Sequence, residues 1–451
     1  LKENIVMEKE WSALTREEKR DRRMQDYISG KGIHFRNAKA EKLYKERVNR
    51  MLKANRCEEP DRVPVSFPTG NYPAYYAGYN FKQVMYDYEA CLEAWRKFMY
   101  DFYEDMDSFM GPGFVFSGRV MDLLDYKNYT WPGHGLGDDV NTFQFVEAPY
   151  MKADEYDYFL KDPSDYGFRV LTPRVMGAGE SLRHFPPLNA LMGIPMMLAR
   201  PFTRADVRED FRRIIAAGEE MEKQQKILME FNIEALEMGF PAEFGGLGVA
   251  PFDILGDFLR GTEGVAIDMF RQPEKLLEAI DMLTELTKKR LIDNVNIYRG
   301  HSVSFPLHKG DDTFMSRKQF EKFYWPSLKK VIDALIDEGI SVSLFAEGAY
   351  NQRLEYIGDF PKGWVTWMFD QTDMANAKKM IGDRCCICGN VPGSTVIFGT
   401  PREVKEACRK LIETCAPGGG YILTGGCTAT ETKNPANFRA FMEAATEYGT
   451  Y

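Results

Sequence analysis

The sequence predicts an α/β protein, a (β/α)8 TIM barrel with an N-terminal helical extension and a long insertion in its first half. Three observations lead there. From Ala190 onward, short apolar runs alternate with segments of helical length, the pattern of parallel strands joined by helical crossovers. No Gly-x-Gly-x-x-Gly follows the first strand, and the repeat continues too long for an open doubly wound sheet. The 451 residues, 44% hydrophobic and 13% aromatic, suffice for one large core that no linker of Pro, Gly and Ser divides. The expected organisation is a helical extension over 1–60 and the barrel over 61–451.

The elements follow in order. Thr15-Arg-Glu-Glu is a capped helix start, and Lys39–Lys53 is a second charged helix. Neither has a broad apolar stripe, so both are expected on the outside of the barrel or against a partner subunit. Arg62-Val-Pro-Val-Ser-Phe is the first strand, Tyr86–Asp107 a covering helix, and Ser108–Val120 the next strand with its loop. Asp122–Arg183, rich in Trp, Tyr, Pro and Gly, lacks periodicity and is predicted as an insertion and lid. Phe211–Met238 and Pro273–Tyr298 are helices, with Ala250–Phe258 between them as loop or strand. Strands at Val303–His308, Ile340–Phe345, Val365–Met368, Cys385–Gly389 and Tyr421–Thr424 then alternate with helices at Ser316–Gly339, Ala375–Gly382, Pro401–Cys415 and Pro435–Tyr448.

Composition removes several classes of function. A formal charge of −9 opposes a nucleic-acid surface. The basic runs Arg16–Arg23 and Arg36–Lys53 interleave Lys and Arg with acids, as solvated helix faces do. No apolar run approaches the ~20 residues of a membrane span. Leu1–Arg23 lacks the apolar stretch of a secretory signal, so a cytoplasmic protein is expected. Eight cysteines are too sparse for a disulfide scaffold and are predicted as reduced thiols.

In a barrel the chemistry gathers where strands end. Pro306-Leu-His308-Lys-Gly-Asp311-Asp312 offers an imidazole, which as a lone histidine is a metal ligand, a proton donor or a capped loop residue. Glu347, between an apolar strand and Gly348, suits a hard cation or a proton, unless it simply pairs with Arg353. Asp370 is a further site candidate, whereas Asp373 reads as a helix N-cap. Cys427, after the last strand, is a soft ligand that a barrel would bring near Glu347 and His308, a set suited to zinc. Cys385, Cys386, Cys408 and Cys415 read as buried, inert thiols. The aromatics between Tyr72 and Phe116, including Tyr75, are either ordinary core or the lining of a pocket for a ring-bearing substrate.

Gly389-Asn-Val-Pro-Gly-Ser, Gly399-Thr-Pro-Arg-Glu-Val-Lys, Gly418-Gly-Gly-Tyr-Ile-Leu-Thr-Gly-Gly-Cys and Asn434-Pro-Ala-Asn-Phe together resemble the uroporphyrinogen decarboxylase superfamily. That superfamily also holds corrinoid-dependent methyltransferases acting on methanol, methylamines or aryl methyl ethers. The decarboxylase clamps its polyanionic substrate with an Arg-Gln-Ala-Gly-Arg segment, where this chain has Pro68-Thr-Gly-Asn-Tyr-Pro-Ala-Tyr-Tyr, without arginine. The thiol-activating methyltransferases hold zinc with His-x-Cys-Gly, where this chain has Phe345-Ala-Glu347-Gly348, and with a late cysteine, where it has Cys427. The resemblance thus implies methyl transfer from a methyl ether, of the aromatic kind, to a corrinoid on a separate protein. On that reading the strand-end candidates His308, Glu347 and Asp370 are the catalytic groups, Tyr72, Tyr75, Phe116 and Arg353 surround the substrate, and zinc on Glu347, His308 and Cys427 is an option, while the resemblance implies a homodimer. The competing expectation is a cofactor-independent decarboxylase of a small acid, clamped by Arg353, Lys309 or Arg119.

Overall fold

The computed structural model describes residues 10–67, 69–242, 246–426 and 434–451. Helix α1 (Arg16–Ser29) starts as its sequence predicts: the Thr15 hydroxyl accepts from the Glu18 amide, and the Glu18 carboxylate accepts from the Thr15 amide. Helix α2 (Ala38–Asn55) is capped by the side chain of Asn37. Strands β1 (Ser66–Phe67) and β2 (Ser108–Phe109) flank α3 (Tyr88–Asp101), and the long α4 (Ala205–Glu237) follows. Next come α5 (Pro273–Tyr298), β3 (Ser302–Leu307), α6 (Trp325–Asp337), β4 (Ser341–Ala346), β5 (Val365–Phe369), α7 (Met374–Ile381) and β6 (Cys386–Cys388). Helix α8 (Pro401–Cys415), β7 (Tyr421–Ile422) and α9 (Pro435–Tyr448) complete the order.

The strands run parallel in the order β7-β6-β5-β4-β3, and β1 pairs with β2. Parallel bridges from Val65 to Leu423 and from Leu247 to Ser304 extend the arc at both ends. Among the described residues no pairing joins Leu247 back to β2. The chain is therefore an α/β protein built on a parallel arc, and the predicted circuit of eight strands is not traced in full. Helical crossovers are what parallel neighbours require. Alternation sets the faces: Val303, Phe305 and Leu307 of β3 are buried, whereas Ser302, Ser304 and Pro306 are only partly so. On α8, capped by Thr400 with Glu403, the buried residues Val404, Cys408, Ile412 and Cys415 form one stripe.

Two expectations are corrected. The N-terminal helices lie across the N-terminal ends of the strands, not on the outer wall. The Trp11 indole and the Lys19 ammonium donate to the Glu338 carboxylate (2.8 and 2.9 Å), and Arg20 donates to the Gly363 carbonyl (3.2 Å). Gly339 makes this approach possible, since it has φ +73° and a Cβ there would lie 2.6 Å from the Arg20 amide. Gly339→Ala is expected to cost about 1–2 kcal/mol from the left-handed backbone alone. It should also free α1, read as faster amide exchange over Arg16–Ser29. The second correction concerns Ala250–Phe258, which is neither loop nor strand: Pro251–Asp253 is helical and Ile254–Leu259 continues it as a wide π turn.

The insertion folds as a small sheet, with Tyr129–Pro132 between Gly135–Leu136 and Gln144–Phe145, followed by short helices. It is tied to the end of the π turn, where the Met151 amide donates to the Leu259 carbonyl (2.6 Å). The described cysteines are buried and free, and burial pushes the Cys385 and Cys415 thiols up to about 12, as befits unreactive groups. No described helix is long and apolar enough to cross a membrane.

Candidate active site

Strand β3 delivers His308 at its C-terminal end, and a buried carboxylate fixes it there. Asp253 accepts from the backbone amides of His308 (3.0 Å) and Lys309 (3.2 Å) and from the Tyr324 hydroxyl (2.9 Å). One turn on, Asp257 accepts from His308 Nδ1 at 2.6 Å. Asp253 ends the helical turn and Asp257 lies in the π turn that continues it, and such widened turns recur at functional sites. Lys309 Nζ bridges Asp257 (3.3 Å) and Glu147 of the insertion (3.4 Å).

Electrostatics follow from this packing. Burial alone would lower the pKa of His308, but the hydrogen bond and charge of Asp257, with Asp253 and Glu347 behind it, hold it at about 9. The imidazole is therefore a cation at neutral pH. Burial, followed by the neighbouring charge of Asp257, pushes Asp253 well above the usual carboxylate range. Asp257→Asn is expected to return His308 towards the ordinary imidazole value of about 6.5. The alkaline limb of the pH–rate profile should then move to lower pH.

Glu347 follows β4 and is half exposed, with its carboxylate 3.8 Å from His308 Nε2. The adjoining Gly348 has φ +80°, and a Cβ there would lie 3.0 Å from the Asp311 carboxylate, so the turn past Glu347 favours glycine. Its amide donates to Asp370 at the end of β5 (3.2 Å). Three successive strand ends thus bring His308, Glu347 and Asp370 side by side. Asp373 caps α7 through the Asn376 amide (3.0 Å), as its sequence context predicts.

The remaining candidates fall elsewhere. Arg353 is fully buried, and its guanidinium donates to the carbonyls of Gly310 (3.2 Å), Asp311 (3.0 Å) and Met315 (2.5 Å). It braces the loop after β3 and presents no free fork to a substrate, which corrects its reading as a substrate ligand. Tyr72 is buried against Phe438 and Phe98 (ring centroids 4.1 and 6.1 Å apart) and is core, while Tyr75 packs at the edge of that core. Phe116 stacks on Phe143 at 4.5 Å. Through Tyr129 and Phe145 that cluster reaches Phe258, the neighbour of Asp257.

Cys427 lies outside the described residues. Among the described residues, no three His, Cys, Asp or Glu groups converge as a metal site. Of the expected zinc donors, the described ones are His308, whose Nδ1 is engaged by Asp257, and Glu347, 3.8 Å from His308 Nε2. Sequence reasoning missed Asp253, Asp257 and Glu147. The first two had a signal, a pair of acids four residues apart in an otherwise apolar stretch.

Residues 193–448 match the model of the family described as uroporphyrinogen decarboxylase, which is more than half of the chain. The chain belongs to the uroporphyrinogen decarboxylase family. It is similar to the uroporphyrinogen decarboxylase of Erwinia tasmaniensis, 23% identical over 194 residues that make up 41% of this chain and 53% of that protein. The same enzyme of Sodalis glossinidius is 24% identical over 197 residues, with the same shares covered. The chain thus spans about half the length of the curated relatives it matches. Among solved structures it resembles a methyltransferase from Methanosarcina mazei, with a TM-score of 0.54, 14% identity, and 90% of this chain and 98% of that one covered. At that identity the likeness speaks for the fold.

Proposed function

We propose that the chain closes as a (β/α)8 barrel and moves a methyl group from an aromatic methyl ether to a corrinoid borne by a separate protein. The observation that carries this reading is the 2.6 Å bond from His308 to Asp257, which leaves a charged imidazolium with Nε2 turned towards Glu347. Breaking an ether C–O bond places negative charge on the departing oxygen, and a positioned acid removes it. The reduced corrinoid supplies the nucleophile that takes the methyl group. His308 Nε2 gives its proton to the oxygen as the bond breaks, so the product leaves as a neutral phenol. Asp257 keeps the proton on Nδ1 and steadies the ring, and Glu347 returns a proton from solvent to Nε2. The aromatic cluster from Phe116 to Phe258 provides a wall for a ring.

Decarboxylation of a small acid is the second reading, favoured by the decarboxylases among the relatives. It needs a cation free to hold a carboxylate. Arg353 is engaged by carbonyls, Lys309 by Asp257 and Glu147, and Arg119 lies 3.7 Å from Glu220. The cation left is His308 itself, and Asp257, Glu347 and Asp370 stand beside it, so an anionic substrate competes with carboxylates already in place. Purified protein given methoxylated aromatics and a reduced corrinoid protein should release a phenol only when both are present, and His308→Ala should stop it. Carbon dioxide released without any corrinoid, or turnover indifferent to both His308→Ala and Glu347→Ala, would overturn the assignment.

A further inference from the structure

The opposite ends of the strands enclose a second space. A cavity of about 170 Å³ lies between α1, α2 and the lower parts of β3 to β7. Its wall is set by register: Ser302 stands beside Ser341, and Ser304, Ser343 and Thr366 stand in a row across three strands. The interior of a (β/α)8 barrel is ordinarily filled by branched apolar side chains. Small hydroxyl side chains leave this one hollow, with a row of hydroxyls along one wall of a largely apolar lining.

Its polar groups are underused. The side chains of Ser304 and Ser343 take no protein partner among the described residues. The His301 ring stacks on Tyr27 (4.3 Å between centroids) and likewise has no hydrogen-bond partner there. Burial brings His301 down to about 4, so it is a neutral imidazole offering one donor and one acceptor. The Arg20 guanidinium lies over Trp364 at 4.1 Å, and its buried Nε has no acceptor. Arg20 and Arg56 are the charged side chains in the lining, which contains no carboxylate. Outside it, Asp21 approaches Arg56 only at 3.9 Å. The floor is therefore basic where the site at the other end is acidic.

We propose that this cavity binds a small organic anion, its carboxylate or phosphate head held by Arg20 and Arg56 and its body set among Ser304, Ser343 and His301. At about 30 Å³ per water, the space matches roughly six water-sized groups. The proposal goes beyond the proposed function and does not depend on it.

Calorimetric titration of the full chain with inorganic phosphate, succinate and benzoate, each in turn, tests it and separates the two head groups. At least one probe is expected to bind. Arg20→Gln should weaken that binding about tenfold or more, as loss of a charge-assisted hydrogen bond does. Ser343→Val, which narrows the cavity and removes a hydroxyl from its wall, should weaken it further, while His308→Gln at the far end should bind as the unaltered protein does. No heat from any of the three probes, or binding indifferent to Arg20→Gln, would overturn the proposal. If Ser343→Val fails to fold, Arg20→Gln decides alone.

Discussion

His308→Gln is expected to slow turnover by about a hundred- to ten-thousandfold, the usual contribution of a positioned acid. Its fold should stay intact, because Asp253 holds the backbone amides of residues 308 and 309 whatever the side chain, and Lys309 still neutralises Asp257. The unaltered protein should work at constant rate at neutral pH and lose activity as pH rises through about 9, where the imidazolium gives up its proton. Stability carries the same sign. A pKa of about 9 in the folded chain, against about 6.5 unfolded, contributes stability that is complete below 6.5 and lost as pH climbs towards 9. A pH–rate profile and a melting curve at each pH check both. A flat rate across pH 9 would remove His308 as the acid.

The second large effect is on stability. Arg353→Met is expected to cost about 3–5 kcal/mol, the range for removing one partner from a buried ionic contact. It strips the donors from the carbonyls of Gly310, Asp311 and Met315 and leaves Asp312 (3.5 Å away) without its cation. Denaturant unfolding measures this directly. A substrate ligand would behave in the opposite way, raising KM with the unfolding midpoint unchanged.

The contrast between these two residues shows what sequence carries. His308 was marked by its place just past an apolar strand, and Arg353 by its charge in the loop that follows the next one. His308 points to where its neighbours are acids, as the position suggests, but Arg353 curls back onto the preceding loop. A long cationic side chain reads the same in either case, since only the path of a loop some 40 residues earlier decides where it turns. Local signals were legible: the caps at Thr15, Thr400 and Asp373, and the alternation in β3, β4 and β5, act within a few residues. Strands β1 and β2 fall inside the stretches predicted for them, Arg62–Phe67 and Ser108–Val120, but at two residues each their bounds show no period. The spacing of Asp253 and Asp257 hinted at one shared face, but the role of Asp257 was hidden because its partner lies 51 residues away. Glu147 sits in the aperiodic insertion, where only contact with Lys309 gives it meaning.

The docking of α1 has a consequence for how the molecule is made. Trp11, Arg20 and Arg23 bond to groups 327, 343 and 315 positions further along the chain. At a synthesis rate of about 5–20 residues per second, those partners leave the ribosome roughly 15–70 s after the helix that needs them. The earliest of these helices therefore waits for its seat, and a nascent chain stalled before Glu338 displays it unclaimed.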